Sequence, residues 1–375
     1  MITIQGKYGS ADVYVSALDA LDATSHQQIL QLLDVPCMKG QKIAIMPDVH
    51  AGKGCVIGYT QTVTDSIVPN LVGVDVSCGM HVVQVSPKYN FDFKRLDKLI
   101  RKEIPFGTAH RTKLHPFAKN VDFDNLVANV NAEKLKYSVG SLGGGNHFIE
   151  VDCDDEGNRY IVIHSGSRFL GVEVCGFHQR RAMEQRQIDG SDAECPNPHL
   201  AWLEGDYLAD YLNDMRICTQ FADMNRKAMM DIILDGMDIK RRYIMDSFTT
   251  VHNYVDVDHM VIRKGAISLQ KDEIAIIPMN MRDGSLIVKG KGNEACNCSG
   301  PHGAGRVLSR SAAKEALSME EFKKSMAGIF TTSVGTETLD ESPMAYKSMQ
   351  SILDNIGDMC DVVKTIRPLY NFKAS

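Results

Sequence analysis

Five side chains of metal-ligating type stand at the ends of apolar stretches or in glycine turns. They are Asp75 and Cys78 in "GVDVSCGM", His147 in "SLGGGNHFIEV", His164 in "IVIHSGSR" and His252 in "VHNYV". Asp75 and Cys78 lie three apart between glycines that allow a tight turn. A hard carboxylate beside a soft thiolate suits a borderline divalent ion such as manganese or zinc better than magnesium. Taken singly, each has a commoner explanation: Asp75 as a turn residue, Cys78 as a small buried hydrophobe, each histidine as a satisfied core residue. Taken together, one carboxylate, one thiol and three imidazoles supply enough ligands for two metal ions with the thiolate bridging.

A sixth residue, His302, is set among glycines in "GPHGAGR", with Arg306 four residues on. Such a setting leaves room for a phosphate to approach, and an arginine neutralises its charge. A histidine beside a metal-bound phosphate can act as a nucleophile and form a P–N bond. The triple glycine Gly143–Gly145 bares backbone N–H groups that could cradle an anion, although a flexible turn is the commoner meaning. The strict phosphate-loop pattern Gly-x4-Gly-Lys-Ser/Thr is absent, so no standard nucleoside triphosphatase is indicated. Of the other histidines, His26, His110, His115, His178, His199 and His259 read as surface or structural, and His50 and His81 as ambiguous.

The elements that must position these groups are short apolar runs ending in glycine-rich loops. "QKIAIMPDVHAGKG" reads as a strand stopped at Pro47, "NLVGVDVSCGMHVVQV" as strand, loop, strand, and "YIVIHSGSR", "DEIAIIPMN" and "SLIVKGKG" repeat the pattern. Helical spacing is concentrated in residues 199–237, as two helices or one long one, and again in 340–366, where Ser342 would be the N-cap and Pro343 the first helical residue. The later part of residues 178–200 reads as a loop. Because the glycine loops run from residue 47 to 306, they are expected to converge on one site. That favours a single mixed α+β domain over residues 1–375, a β-sheet core with flanking helices and a helical insertion at about 172–245.

Hydrophobic residues make up 44% and charged residues 23% of the 375, a globular profile. No apolar run is long enough to span a membrane and no secretory signal is visible. The ten cysteines form no disulfide framework or Cys-x-x-Cys knuckle, which points to a reducing cytoplasm. A net charge of −6 argues against a broad non-specific nucleic-acid coat but leaves room for a local basic groove.

In order along the chain, "MPDVHAGKG", "GVDVSCGM", "LGGGNHFIE", "HSGSR", "VHNY", "HGAGR" and "DESPMAYK", with the closing "YNFKA", resemble the RtcB RNA ligases over nearly the whole length. The resemblance implies a GTP-dependent ligase that joins RNA ends bearing a 3′-phosphate or 2′,3′-cyclic phosphate to a 5′-hydroxyl, in tRNA splicing or RNA repair. It implies two manganese ions on Asp75, Cys78, His147, His164 and His252, with Cys78 touching both, and guanylylation of His302. Family GTP contacts fall on Asn146, His147, Phe148, Ile149 and Glu150, on His252 and Asn253, and on Pro278, Met279, Asn280, Met281 and Ser285. They continue through His302, Gly303, Ala304 and Gly305 to Lys373. Arg168 and Arg306 match family arginines expected to bind phosphate. Glu150 would pair with the N1–H and amino edge of guanine, and side chains in place of the glycines around His302 would collide with the nucleotide. The partners so implied are RNA and GTP, with no membrane; the sequence specifies no helper protein.

The chain departs from the family's usual pattern at Ser77, at Phe169, and in "PMNMR" from Pro278 to Arg282, while Ser285 stands 17 residues before His302 as in shorter bacterial members. It has the look of a divergent bacterial-type paralogue. Two other readings compete: a metal-dependent cyclic phosphodiesterase acting on RNA ends without ligation, for which His302, Lys373 and Glu150 would be superfluous, and a non-enzymatic RNA-binding protein, for which no aromatic-rich RNA-recognition signature is present.

Overall fold

The computed structural model describes residues 1–187, 195 and 197–374. The loop expected in the later part of 178–200 therefore falls partly on residues 188–194 and 196, which lie outside the described residues. The fold is mixed α and β, with two large sheets. The first runs in the order Ile2–Gln5, Ser10–Val13, Ile43–His50, Ile57–Thr62, Val261–Lys264, Asn253–Asp256. The second runs Ile244–Val251, Gly79–Val85, Arg159–Ser165, Phe148–Cys153, Cys360–Lys373, Gly284–Gly290, Ile274–Asn280, with Phe330–Thr331 pairing beside the long strand.

Period-two alternation divides the second sheet's faces. Ile149, Val151, Ile161, Ile163 and Phe372 pack on one side against Met229 and Ile233 of the long helix. Phe148, Val162, Ile276, Ile287 and Ile366 lie on the other, in a separate cluster. That second face carries Glu150. The ends of Gly79–Val85, Phe148–Cys153 and Arg159–Ser165 meet at one edge, since Gly79 pairs with Ser165 and Phe148 with His164.

The long helical stretch is one helix, Asp206–Gly236, of 31 residues. Leu208, Tyr211, Met215, Cys218, Phe221, Ala222, Asn225, Met229 and Ile233 are buried along it at three- and four-residue steps, which fixes one face on the sheets. It packs beside Arg168–Arg186.

Two sequence expectations fail. The strand Ile43–His50 runs through Pro47 rather than stopping there. Its ladder to Ile57–Thr62 lapses between Ile45 and His50, so a residue without an N–H sits where no ladder donor is needed. Residues 340–366 are not one helix. Ser342 opens only the three-residue 3-10 turn Pro343–Ala345 and makes no side-chain cap, a short helix follows at Met349–Leu353, and Cys360–Lys373 is a 14-residue strand inside the second sheet. Val362, Val363, Thr365 and Ile366 are β-branched, and their strand preference prevails once Gly284–Gly290 is there to pair with them. Among the described residues no disulfide forms, and no helix is long and apolar enough to cross a membrane.

Candidate active site

The five ligand-type residues converge. Cys78 Sγ lies 3.0 Å from His164 Nε2 and 3.4 Å from His147 Nε2. His147 Nε2 is 3.0 Å from Asp75 Oδ2, and His164 Nε2 is 3.3 Å from His252 Nε2. Two groups of potential ligands result, Cys78–His164–His252 and Asp75–Cys78–His147, each with ligand atoms within 4.8 Å of one another, and Cys78 belongs to both. His147 Nδ1 is 2.8 Å from Leu142 O and His164 Nδ1 is 3.2 Å from Asn146 O. A carbonyl only accepts, so both Nδ1 atoms carry the proton and both Nε2 atoms offer a lone pair to the cluster. His252 Nδ1 has no partner among the described residues, so either a proton on its Nε2 or a cation in that place satisfies the pair of nitrogens facing each other. The arrangement fits a cation.

The electrostatics agree. Burial, then neighbouring imidazoles, hold His164 and His252 well below the usual histidine range, in the neutral form that ligates. Burial, and next the Asp75 carboxylate, push the Cys78 thiol well up, while Arg226 pulls it down. Desolvation raises Asp75, but His147 and its other partners outweigh that and leave it lowered. The thiol is the group a bound divalent ion would change most, by deprotonating it.

The loops carrying these residues are tied to the long helix by two residues that sequence reading missed. Arg226, 1% exposed, donates from Nη1 to Ser77 O at 2.8 Å and Ser165 O at 2.9 Å, the carbonyls next to Cys78 and His164. Asn225 accepts from the N–H groups of Gly140 and Ser141 and donates to Ser165 Oγ and Gly166 O. Ser77 and Arg168, flanking the cluster, both hold φ of 56°. For non-glycine residues that left-handed conformation is strained and persists only where surroundings enforce it. Ser77 is gripped by Thr219 Oγ1 at 2.6 Å, Asn253 O at 2.5 Å and Arg226. Arg168 is gripped by Ser141 Oγ at 3.2 Å and Gly107 O at 2.7 Å. Gly143 (φ 90°) is where it is because a Cβ there would fall 1.9 Å from Arg168 Nη1 and 2.7 Å from His147 Nδ1.

His302 stands beside this cluster, its ring centroid 5.0 Å from that of His252. Asp48 of "MPDVHAGKG", wholly buried, places Oδ2 2.6 Å from His302 Nδ1 and 3.2 Å from His302 N, leaving Nε2 as the ring's free nitrogen. The segment around Asp48 is fixed in turn by Lys347 of "DESPMAYK", which donates to Pro47 O and Val49 O. Only the fixed spacing of the motif could have hinted at Asp48. Gly305 (φ 72°) is required by the chain's own packing, since a Cβ there would lie 2.5 Å from Asp48 O. At Gly305, then, the collision that the expectation assigned to a nucleotide would be with the backbone that holds the histidine, whereas at Gly303, in the cavity wall, a Cβ would meet only Pro278 O at 3.1 Å.

A cavity of about 830 Å³ opens over the cluster. Asp75, Cys78, His164 and His252 line it, as do Asn146, Phe148, Glu150, Asn253, Pro278, Met279, Asn280, Met281, His302, Gly303, Ala304, Gly305, Arg306 and Lys373. Of the other sequence-predicted residues, His147 lies behind Asp75 and Cys78. Ile149 is wholly buried on the opposite face of its strand, so strand alternation turns its side chain away from the cavity. Ser285 is wholly buried too, its Oγ without a partner among the described residues.

Two carboxylates stand in the cavity wall, Glu150 and Glu341, with a third, Asp152, buried behind it. Glu150, 3% exposed, accepts from Asn371 Nδ2, and burial lifts its carboxyl to about 7 against the opposing pull of Lys373 and Asn371. Beside it Asp152 is wholly buried, and neither oxygen has a partner among the described residues. Glu341 of "DESPMAYK" bridges Lys373 Nζ at 2.9 Å, Tyr346 Oη at 2.6 Å and Arg306 Nη1 at 3.3 Å. Burial raises Glu341, but Lys373 and its other partners bring it down to about 2. Arg306 also donates from Nε to Leu308 O and from Nη2 to Asp340 O, so all three of its nitrogens are committed within the protein. As placed, Arg306 braces the lip of the cavity, and Lys373, its Nζ 5.3 Å over the Phe148 ring, lines it together with Arg310 and Lys347. Arg168 donates from Nε to Ser141 Oγ and from Nη2 to Gly107 O beneath the glycine turn, while its Nη1, on the Gly143 side, makes no hydrogen bond among the described residues.

Comparison with known proteins places this constellation. A family model described as "tRNA-splicing ligase RtcB" matches residues 28–128 and 120–374. The RNA-splicing ligase RtcB of Escherichia coli K12 is 32% identical over 388 aligned residues, covering 92% of this chain and 93% of that protein. RtcB2 of another E. coli strain is 28% identical, with 97% of this chain and 96% of that protein covered. The tRNA-splicing ligase RtcB of Pyrobaculum aerophilum is 25% identical, with 95% of this chain and 92% of that protein covered. An RNA-ligase family, a mixed α and β fold and a buried thiol–imidazole–carboxylate cluster thus coincide in one molecule: the chain belongs to the RtcB family.

Proposed function

We propose that the protein is a GTP- and manganese-dependent RNA ligase that joins RNA 3′-phosphate or 2′,3′-cyclic phosphate ends to 5′-hydroxyl ends in RNA repair or tRNA splicing. The observation that carries the reading is His302: its Nδ1 is held by a buried carboxylate and its Nε2 is left free beside the ligand cluster and within the cavity wall. Asp75, Cys78, His147, His164 and His252 would hold two manganese ions, which would supply charge neutralisation on phosphate oxygens.

The protein's own groups do the rest. Asp48 keeps the proton on Nδ1, so Nε2 presents a lone pair to the α-phosphorus of GTP. A P–N bond forms there, the α–β P–O bond breaks, and pyrophosphate leaves. An oxygen of the RNA 3′-phosphate then attacks the same phosphorus, the P–N bond breaks, and the strand carries an activated RNA-3′-pp-G end. The 5′-hydroxyl attacks the RNA phosphate and GMP departs with the bonding pair. A cyclic phosphate is first opened by water. Glu150, once ionised, accepts from the two N–H groups on the guanine edge that adenine lacks, and Lys373 offsets phosphate charge.

The test is the intact mass of the protein after incubation with GTP and manganese, with ATP and His302→Ala as comparisons. A GMP-sized, acid-labile gain that is lost in the variant and absent with ATP supports the reading. No adduct from protein shown to contain manganese rejects it and favours the cyclic phosphodiesterase.

A further inference from the structure

Of the thirteen phenylalanines in the chain, only Phe169 is exposed, at 59%. An exposed aromatic ring costs solvation and invites an explanation when other apolar surface joins it. Val74 and Val172 do so, each 42% exposed. Val172 is three residues from Phe169 on the helix Arg168–Arg186, hence on the same face. The first turn of that helix sits directly on the segment carrying Asp75: Ser167 N donates to Val76 O at 3.2 Å, and a Cβ on Gly171 would touch Val74 O at 2.8 Å and Val76 N at 3.0 Å. Asp75 itself, its side chain 36% exposed, marks the rim of the ligand cluster here. The apolar patch is therefore continuous with the site.

Charge runs on along the same helix face. Positions 169, 172, 176 and 180 recur at steps of three and four, and the exposed Arg180 reaches back over Gly176, where a Cβ would lie 3.5 Å from its Nη1. The exposed Lys53 belongs to the loop lodged beside this helix: its carbonyl and that of Asn70 both accept from Lys264 Nζ, and Asn70 Oδ1 contacts Cys175 Sγ. Glu173 flanks the stripe, partly buried. On a chain of net charge −6, an aromatic ring at the rim of a phosphate-handling site, followed by Arg180 with Lys53 alongside, is the pattern of a stacking platform with a backbone track.

We propose that Phe169, backed by Val74 and Val172, is a platform on which the unpaired base at the 3′-phosphate end of the RNA stacks, with the preceding backbone directed along Arg180. The inference rests on the RNA-ligase reading above and adds the contact that would bind the strand without reading its sequence, because every base presents a stacking face.

The test is fluorescence anisotropy of the full chain, loaded with manganese and without GTP. The probe is a 5′-labelled single-stranded RNA ending in a 3′-phosphate, beside the same RNA with an abasic 3′-terminal nucleotide. Phe169→Ala should weaken binding of the intact RNA roughly tenfold. Phe169→Trp should bind it within about twofold of the parent. The abasic RNA should bind parent and Phe169→Ala equally, at the weaker level. Melting temperatures establish that both variants fold. Unchanged affinity in Phe169→Ala, or the same loss on the abasic RNA, overturns the platform. So does a change of oligomeric state in Phe169→Ala with RNA affinity intact, which would make the patch an interface between copies of the chain. Parent protein that takes up GMP and joins RNA yet ignores Phe169 sinks the platform alone. Parent protein that neither takes up GMP nor binds RNA sinks the ligase reading, and the platform with it.

Discussion

Asp48→Asn isolates what the buried carboxylate does for His302. The side chains are nearly isosteric, and Asp48 is wholly buried, so the change alters charge and hydrogen-bond polarity with little change in packing. In the parent, Oδ2 is 2.6 Å from His302 Nδ1 and 3.2 Å from His302 N, and both nitrogens donate to it. A hydrogen bond to a charged group contributes about 1.5–3 kcal/mol. Were that contribution realised wholly as the nitrogen gains positive character on attack, its loss would slow transfer about 10- to 150-fold, at about 1.4 kcal/mol per tenfold. The amide adds a second effect. Its NH2 can donate to Nδ1 and so favour the tautomer with the proton on Nε2, which has no lone pair for phosphorus. The two effects together give a decrease of about 10²–10³.

The assay is single-turnover formation of the GMP adduct, followed by intact mass at saturating GTP and manganese. The maximal rate should fall by that factor while the GTP concentration giving half-maximal rate moves less than about threefold, because the lost interaction acts at the reacting nitrogen rather than on bound GTP. Metal content should match the parent, since Asp48 is outside both groups of candidate ligands. A rate within about threefold of the parent would refute the tautomer argument. A rate loss that tracks a loss of metal would refute the assignment of Asp48 to His302.

Cys78→Ala removes the group common to both potential ligand sets, so manganese measured by mass spectrometry should fall from about two per chain toward none, and adduct formation should vanish; adduct at the parent level would discard the two-metal arrangement. Glu150 should make GTP binding fall as pH drops through about 7, because the protonated acid cannot accept both guanine N–H groups. Its folded-state value is raised above the usual 4.5, so its effect on stability has the opposite sense: full below about 4.5 and lost as pH rises through about 7. Glu150→Gln should flatten the binding profile near pH 7, and an unaltered profile would remove Glu150 from the guanine contact. Arg226→Met should lower the unfolding free energy in urea by about 2 kcal/mol, since Ser77 O and Ser165 O lose a charged donor in the interior, and should weaken manganese uptake; parent-like values for both would show that the helix does not hold the loops.

The ligand-type residues are legible in the sequence because the chemistry restricts them: a thiol, a carboxylate and imidazoles at strand ends are few, and five of them in glycine turns have few other uses. Asp48, Glu341, Asn371 and Arg226 of the long helix are not legible, because each acts on groups far away in sequence. Asp48 serves His302 across 254 positions, Asn371 serves Glu150 across 221, and Arg226 serves Ser77 O across 149. No periodicity reports such a pairing. The strand Cys360–Lys373 escapes sequence reading for a similar reason: its outer residues alternate weakly, and what makes it a strand is a partner on each side, Gly284–Gly290 and Phe148–Cys153. The glycines are legible as close approaches, but not as approaches to the chain itself.

The two arginines extend the same point to charge. Arg168 and Arg306 have the residue type and position of phosphate ligands, yet in the folded chain their nitrogens already donate to Ser141, Gly107, Leu308, Asp340 and Glu341. Arg306, spent on fixed carbonyls and a buried carboxylate, costs much to withdraw and is suited to hold the site's shape, whereas Arg168 is anchored through Nε and Nη2 with Nη1 left over for a ligand. Lys373 differs. Its partner Glu341 is shared with Tyr346 and Arg306, and its own ammonium lies over the Phe148 ring in the cavity wall, so it can turn to a phosphate while Glu341 keeps its other two partners. On the proposed ligase reading the tasks divide: Arg306 sets the wall before a nucleotide arrives, and Lys373, with its shared counter-charge, together with the Nη1 of Arg168 would meet the phosphates.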